Sequence, residues 1–124
     1  MPLPRQSPNP LPELIRRRAE QVARQLCDAR LPPHVRPLVR LEVAVRGNTV
    51  TIVEERAPWN PAASADWTTS AIAQFRYQAS TRLWTLCWAD RNGRWCSLSE
   101  TPPTADIAEL ARILDADTTG VFWG

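Results

Sequence analysis

The sequence predicts an α+β domain. It should hold a single five-stranded antiparallel sheet, made of a hairpin and a three-stranded meander, with an N-terminal and a C-terminal helix packed on one face. Three observations carry this. Apolar residues recur at a helical period over residues 11–29, they alternate with polar ones at a strand period over residues 40–56 and 73–98, and a second helical pattern follows. Helices and strands are thus segregated along the chain, which favours an antiparallel sheet with its helices on one side. The length of 124 residues suits one such domain, burying about two-thirds of the surface its unfolded chain exposes. The usage of 44% hydrophobic and 23% charged residues is that of a globular protein, which excludes a disordered or collagen-like chain.

Residues 1–10 carry Pro2, Pro4, Pro8 and Pro10, which block helix and sheet alike and predict a flexible tail ahead of a domain spanning 11–124. The first helix is expected from Leu11 to Ala29, with Pro12 near the first helical position, where a missing N–H costs nothing. Leu11, Ile15, Ala19, Val22, Leu26 and Ala29 form its apolar stripe, and Glu13–Arg17 and Glu20–Arg24 stand in the favourable acid-first order four residues apart. Pro32, Pro33 and Pro37 end it.

Two alternating runs follow, joined by Gly47-Asn48, a strong hairpin signal. Pairing Arg46 with Thr49 sets Val45 against Val50, Val43 against Ile52 and Arg40 against Glu55, so apolar meets apolar and charge meets opposite charge. Residues 57–70 read as a long loop bearing Trp59 and Trp67, as a lid or contact surface would, unless both indoles fold back over the core edge. In the meander, a link at Ser80-Thr81 sets Tyr77 against Trp84, Phe75 against Leu86 and Ala73 against Trp88. A three-residue turn at Arg91-Asn92-Gly93, with the glycine left-handed, sets Trp88 against Cys96 and Leu86 against Leu98. Thr104 is placed to cap a helix running to Ala116. Phe122 and Trp123 near the C-terminus must dock, against the sheet or the first helix, or leave a sticky patch.

The residues offer little for catalysis. The single histidine, His34, sits in Pro-Pro-His-Val-Arg-Pro with no nucleophile beside it, and is expected to be exposed. Glu54 and Glu55 are strand neighbours that point to opposite faces, so they form no acid/base pair. No phosphate-cradling glycine loop and no metalloprotease or calcium-loop motif is present. No catalytic residue, cofactor or metal site is therefore assigned. Cys27, Cys87 and Cys96 lack metal-ligand spacing and read as buried free thiols. No apolar run is long enough to span a bilayer, and the start lacks the apolar stretch of a secretion signal, so no membrane contact and a cytoplasmic location are expected.

The 15 basic residues are all arginine. Residues 1–46 hold nine of them against Glu13, Glu20, Asp28 and Glu42, a balance of +5, while residues 47–124 balance at −3. Such polarity suits an anionic partner or an attraction between the two halves. On the sheet face turned away from the core set lie Val53, Ile72, Arg76, Leu83, Thr85, Cys87, Ala89 and Trp95, with Arg40, Arg46, Arg82 and Arg94 near its rim. Trp59, Trp67, Arg76, Arg82, Arg94 and Trp95 are the candidate interaction surface. A protein partner or self-association fits tryptophan and arginine, the residues that dominate binding hot spots. Single-stranded nucleic acid, with Trp95 stacking bases, is a rival that near-zero net charge disfavours. A small ligand between the long loop and the sheet is a third reading, and burial of the face beneath the C-terminal tail is the bland one.

Thr51-Ile52-Val53-Glu54, Pro58-Trp59, Arg76-Tyr77, Leu83-Trp84-Thr85-Leu86, Asn92-Gly93-Arg94-Trp95 and the ending Gly120-Val121-Phe122-Trp123-Gly124 together resemble a bacterial family, domain of unknown function 3024, from about Leu11 onward. The resemblance implies one complete small domain and assigns no catalytic residue, cofactor or substrate.

Overall fold

The computed structural model describes residues 10–60, 62–63 and 65–124. The expected proline-rich tail, apart from Pro10, lies outside the described residues. The elements run α1 (Glu13–Arg30), a 3-10 turn (Pro33–Val35), β1 (Val39–Arg46), β2 (Thr49–Arg56), β3 (Thr68–Gln78), β4 (Leu83–Ala89), β5 (Trp95–Ser97) and α2 (Ile107–Ala116). The strands form one antiparallel sheet in the order β1-β2-β3-β4-β5, so hairpin and meander join in a continuous up-and-down ribbon. Both helices pack on the same face and share one hydrophobic cluster with it. Phe75, Ile52, Leu86, Leu110 and Leu114 are fully enclosed there.

The registers follow the side-chain pattern. Val45 faces Val50, Val43 faces Ile52 and Arg40 faces Glu55 across the hairpin, and Gly47 takes the positive φ of 58° that its two-residue turn requires. Tyr77 faces Trp84 with ring centroids 5.0 Å apart and planes tilted by 53°, a geometry worth about 1 kcal/mol beyond simple burial. Phe75 faces Leu86, Trp88 faces Cys96, and Gly93 at φ 76° closes the last turn as expected.

Four expectations are corrected. The link between β3 and β4 spans residues 79–82 rather than two residues, because Arg82 adopts φ 59° and its N–H donates to the Gln78 carbonyl. In α1 the buried face turns toward Ala23 and Cys27 and leaves Ala29 exposed, and Glu20 pairs with Arg16 (3.0 Å) instead of Arg24. Strand β3 begins at Thr68, so the Trp59 to Trp67 loop is shorter, and Ile72 is the extra residue of a bulge between Ile52–Ala73 and Val53–Ala71. The bulge turns Ile72 into the core and off the outward face. Finally Asp106, not Thr104, caps α2, accepting from the Ala108 N–H at 3.0 Å. Thr104 instead exchanges both backbone hydrogen bonds with Trp84 (2.7 and 3.0 Å) as an isolated bridge.

The C-terminus docks on the helices. Asp117, left-handed at φ 43°, ends α2, and its carboxylate accepts from the Phe122 N–H (3.2 Å) and the Trp123 N–H (2.8 Å). The Trp123 indole N–H donates to the Leu114 carbonyl (2.9 Å), and the Arg30 guanidinium lies 3.9 Å from the indole centroid. Arg30 also pairs with Asp115 at 2.8 Å, joining the basic N-terminal half to the acidic C-terminal half. Phe122 is buried in the shared core. Of the two docking places expected, the tail thus takes the first helix, and α2 with it, so it does not cover the outward sheet face.

Candidate functional site

Cross-strand pairing lays the outward face out in rows. Arg46, Thr49, Arg76 and Thr85 follow one another across β1 to β4. The next row is Ala44, Thr51, Gln74, Cys87 and Ser97, and Trp95 stands beside Ala89 one row further on. Around the middle row the polar groups are joined. Gln74 donates from Nε2 to the Thr51 hydroxyl at 3.0 Å and accepts from Arg76 Nε at 2.6 Å, so Arg76 is held in a fixed orientation at the centre of the sheet. Gln74 is buried although it faces outward, and the Cys87 side chain is fully enclosed.

That enclosure decides the chemistry of the thiol. Burial pushes Cys87 up to about 11, only partly offset by the nearby Arg76 charge and reinforced by Cys96. Cys27, at the end of α1, is likewise pushed up to about 11, by burial first and then by Asp28. Both stay neutral thiols at pH 7 and supply no thiolate nucleophile. All three cysteines are free and buried, and His34 is exposed in the turn ahead of β1. Among the described residues, no cluster of three or more His, Cys, Asp or Glu side chains is placed to hold a metal ion. No helix among them is long and apolar enough to cross a membrane.

The sequence-derived candidates divide by position. Arg76 and Trp95 lie on the outward face, Trp95 half-buried. Arg82 and Arg94 sit in the β3–β4 and β4–β5 turns, at opposite ends of the sheet. Trp67 immediately precedes β3, and the Arg40 guanidinium lies 4.0 Å from its ring centroid, so one face of this indole is occupied. Trp59 is 95% exposed, which refutes the folded-back reading for that indole. Sequence reasoning missed Thr51 and Gln74. No short turn fixes the β2–β3 register, so nothing in the pattern told that Thr51 meets Gln74.

The family model for a domain of unknown function, DUF3024, matches residues 11–124. The chain belongs to that family. Its DUF3024 match begins just ahead of α1 and includes the Phe122-Trp123 tail, so every structural feature described above falls inside it. No curated protein and no solved structure matches the DUF3024 chain.

Proposed function

We propose that this DUF3024 protein is a binding module rather than an enzyme, working in the cytoplasm and taking a protein segment onto the open sheet face between Arg76 and Trp95. The observation that carries the reading is the position of the C-terminal tail. Phe122 and Trp123 pack on the helices, so the tail leaves the outward face uncovered by itself, and there Trp95 is half-exposed and Arg76 is oriented by Gln74 with part of its surface exposed. Arginine and tryptophan held in place lose little side-chain entropy on binding, which is how such residues become binding hot spots. Arg40, Arg46 and Arg76 outnumber Glu42 and Glu55 on this face, so the segment is expected to present carboxylates. A nucleic-acid platform fits less well, since Arg40 already covers one face of Trp67.

The test compares quantitative capture by the wild-type chain with capture by Trp95→Ala and Arg76→Ala. A protein retained by the wild type and reduced at least about tenfold by each variant supports the proposal. If no captured protein responds to either change, the reading fails. Tryptophan quenching by a labelled single-stranded oligonucleotide, weakening steeply with salt, would replace it with the nucleic-acid alternative. Thermal stabilisation by a metabolite alone would replace it with the small-ligand one.

A further inference from the structure

Strand β1 is an eight-residue edge of the sheet, and among the described residues only β2 pairs with it. Its hydrogen-bond parity is fixed at the far end, where the Leu38 carbonyl accepts from the Ala57 N–H at 2.8 Å. Antiparallel ladders alternate, so Leu38, Arg40, Glu42, Ala44 and Arg46 bond toward β2. The N–H and C=O groups of Val39, Leu41, Val43 and Val45 then point to the free edge. The same four side chains face the helices yet are only half-buried, while Val50 and Ile52 one strand further in are at 0% exposure. Among the described residues the edge is thus an aliphatic stripe, Val39, Leu41, Val43 and Val45, with unpaired backbone beside it. Edges of this kind are normally blunted or paired.

The outward side chains of β1 select the pairing partner. They read Arg40, Glu42, Ala44, Arg46. When two copies of β1 run antiparallel about a two-fold axis at Ala44, Glu42 of each copy faces Arg46 of the other, and Val43 faces Val45. Centring the axis on Val43 puts Arg40 against Arg46, and centring it on Glu42 puts two carboxylates together. An axis at Leu41 would pair Glu42 with Arg40, but that guanidinium already lies over Trp67. In the Ala44 register Glu42 and Arg46 occupy non-hydrogen-bonded sites, where opposite side chains approach most closely.

We propose that the free edge of β1 pairs antiparallel with the β1 edge of a second copy, centred on Ala44, with Glu42 of each chain against Arg46 of the other. The partner's Val43 and Val45 then extend the aliphatic layer across the axis, and the two sheets become one. Glu42 and Arg46 stand on the same outward face as Arg76 and Trp95, but on β1 rather than β3 and β5, and the dimer needs neither Arg76 nor Trp95, so either proposal stands if the other falls.

Sedimentation velocity with the full chain tests it, at concentrations up to about 1 mM, the upper end for a weak specific dimer. A species of twice the 14.0 kDa chain mass is expected. Glu42→Arg and Arg46→Glu, both exposed positions, each oppose like charges twice and are expected to weaken the dimer at least about tenfold. An equimolar mixture of the two variants restores complementary pairs and should form a heterodimer, as should the double variant with itself. Arg40→Glu should leave the dimer intact. A 14.0 kDa species throughout, a dimer indifferent to both reversals, a mixture that stays dissociated, or dissociation by Arg40→Glu would each overturn the proposal. Circular dichroism confirms that every variant is folded.

Discussion

Replacing Asp117 by alanine should release the C-terminal tail from the helices. Its carboxylate takes hydrogen bonds from two consecutive backbone N–H groups, Phe122 at 3.2 Å and Trp123 at 2.8 Å. Hydrogen bonds to a charged acceptor contribute about 1.5–3 kcal/mol each, and the half-exposed position of Asp117 argues for the lower end, about 3 kcal/mol together. The residue is left-handed at φ 43°, where alanine adds about 1 kcal/mol of strain that aspartate and asparagine bear more easily. The expected loss is therefore about 4 kcal/mol for Asp117→Ala, about 3 for Asp117→Gly and about 1–2 for Asp117→Asn, which keeps one acceptor. Urea unfolding followed by circular dichroism reads these losses directly. With a slope of about 1.5 kcal/mol per molar urea, the alanine midpoint should fall by more than about 2 M. A fall under about 0.3 M, or an alanine variant as stable as the glycine one, would refute the assignment of Asp117 as the tail's anchor.

Other consequences follow from single contacts. Phe75→Ala empties a site with 0% exposure between sheet and helices, and the unfolding free energy should drop by about 3–5 kcal/mol in the same urea assay. Arg82→Gly relieves φ 59° at an exposed turn and should raise stability by about 0.5–1 kcal/mol, whereas Gly93→Ala, where a Cβ meets nothing within 4 Å, should cost about 1 kcal/mol from backbone strain alone. The Cys87 thiol is pushed from its ordinary 9.0 to about 11 in the folded chain, so between these values the folded state binds the extra proton. Its contribution is complete below pH 9 and is lost as pH rises through about 11. Stability measured against pH should therefore fall less steeply over that window in Cys87→Ala than in the wild type.

The hairpin and the last turn were legible because short turns carry their own chemistry. Gly47-Asn48 and Arg91-Asn92-Gly93 place a glycine at a positive φ, and one fixed turn sets every pair along two strands. The β3–β4 register was legible from side-chain pairing alone, although its turn was not, since Arg82 in a left-handed conformation leaves no sequence mark. The bulge at Ile72 was invisible for a related reason. An extra residue within an apolar stretch reads as ordinary alternation until the neighbouring strand is placed, and a one-residue shift moves a side chain to the other face. Thr68–Ser70 is wholly polar and exposed, so it showed no strand period and passed for loop.

For the candidate surface, the sequence named most of the outward residues but missed Thr51 and Gln74 and misplaced Ile72, and it foresaw that Phe122 and Trp123 must dock. It did not reveal which side of the sheet they choose, because that depends on Asp117 and Arg30, distant in sequence and ordinary in type. The exposed Trp59 and the Arg40–Trp67 contact were equally hidden, since no local pattern fixes a loop's path over a sheet edge.

The most direct measurement is photo-cross-linking in cells from two positions. One places the cross-linking side chain at Thr85, on the outward face beside Arg76, and the other at Arg112, on the exposed side of α2. Adducts to a partner protein from position 85 with none from position 112 are the expected result. Adducts from position 112 alone, or none from position 85, would contradict the assignment of the open sheet face as the binding surface.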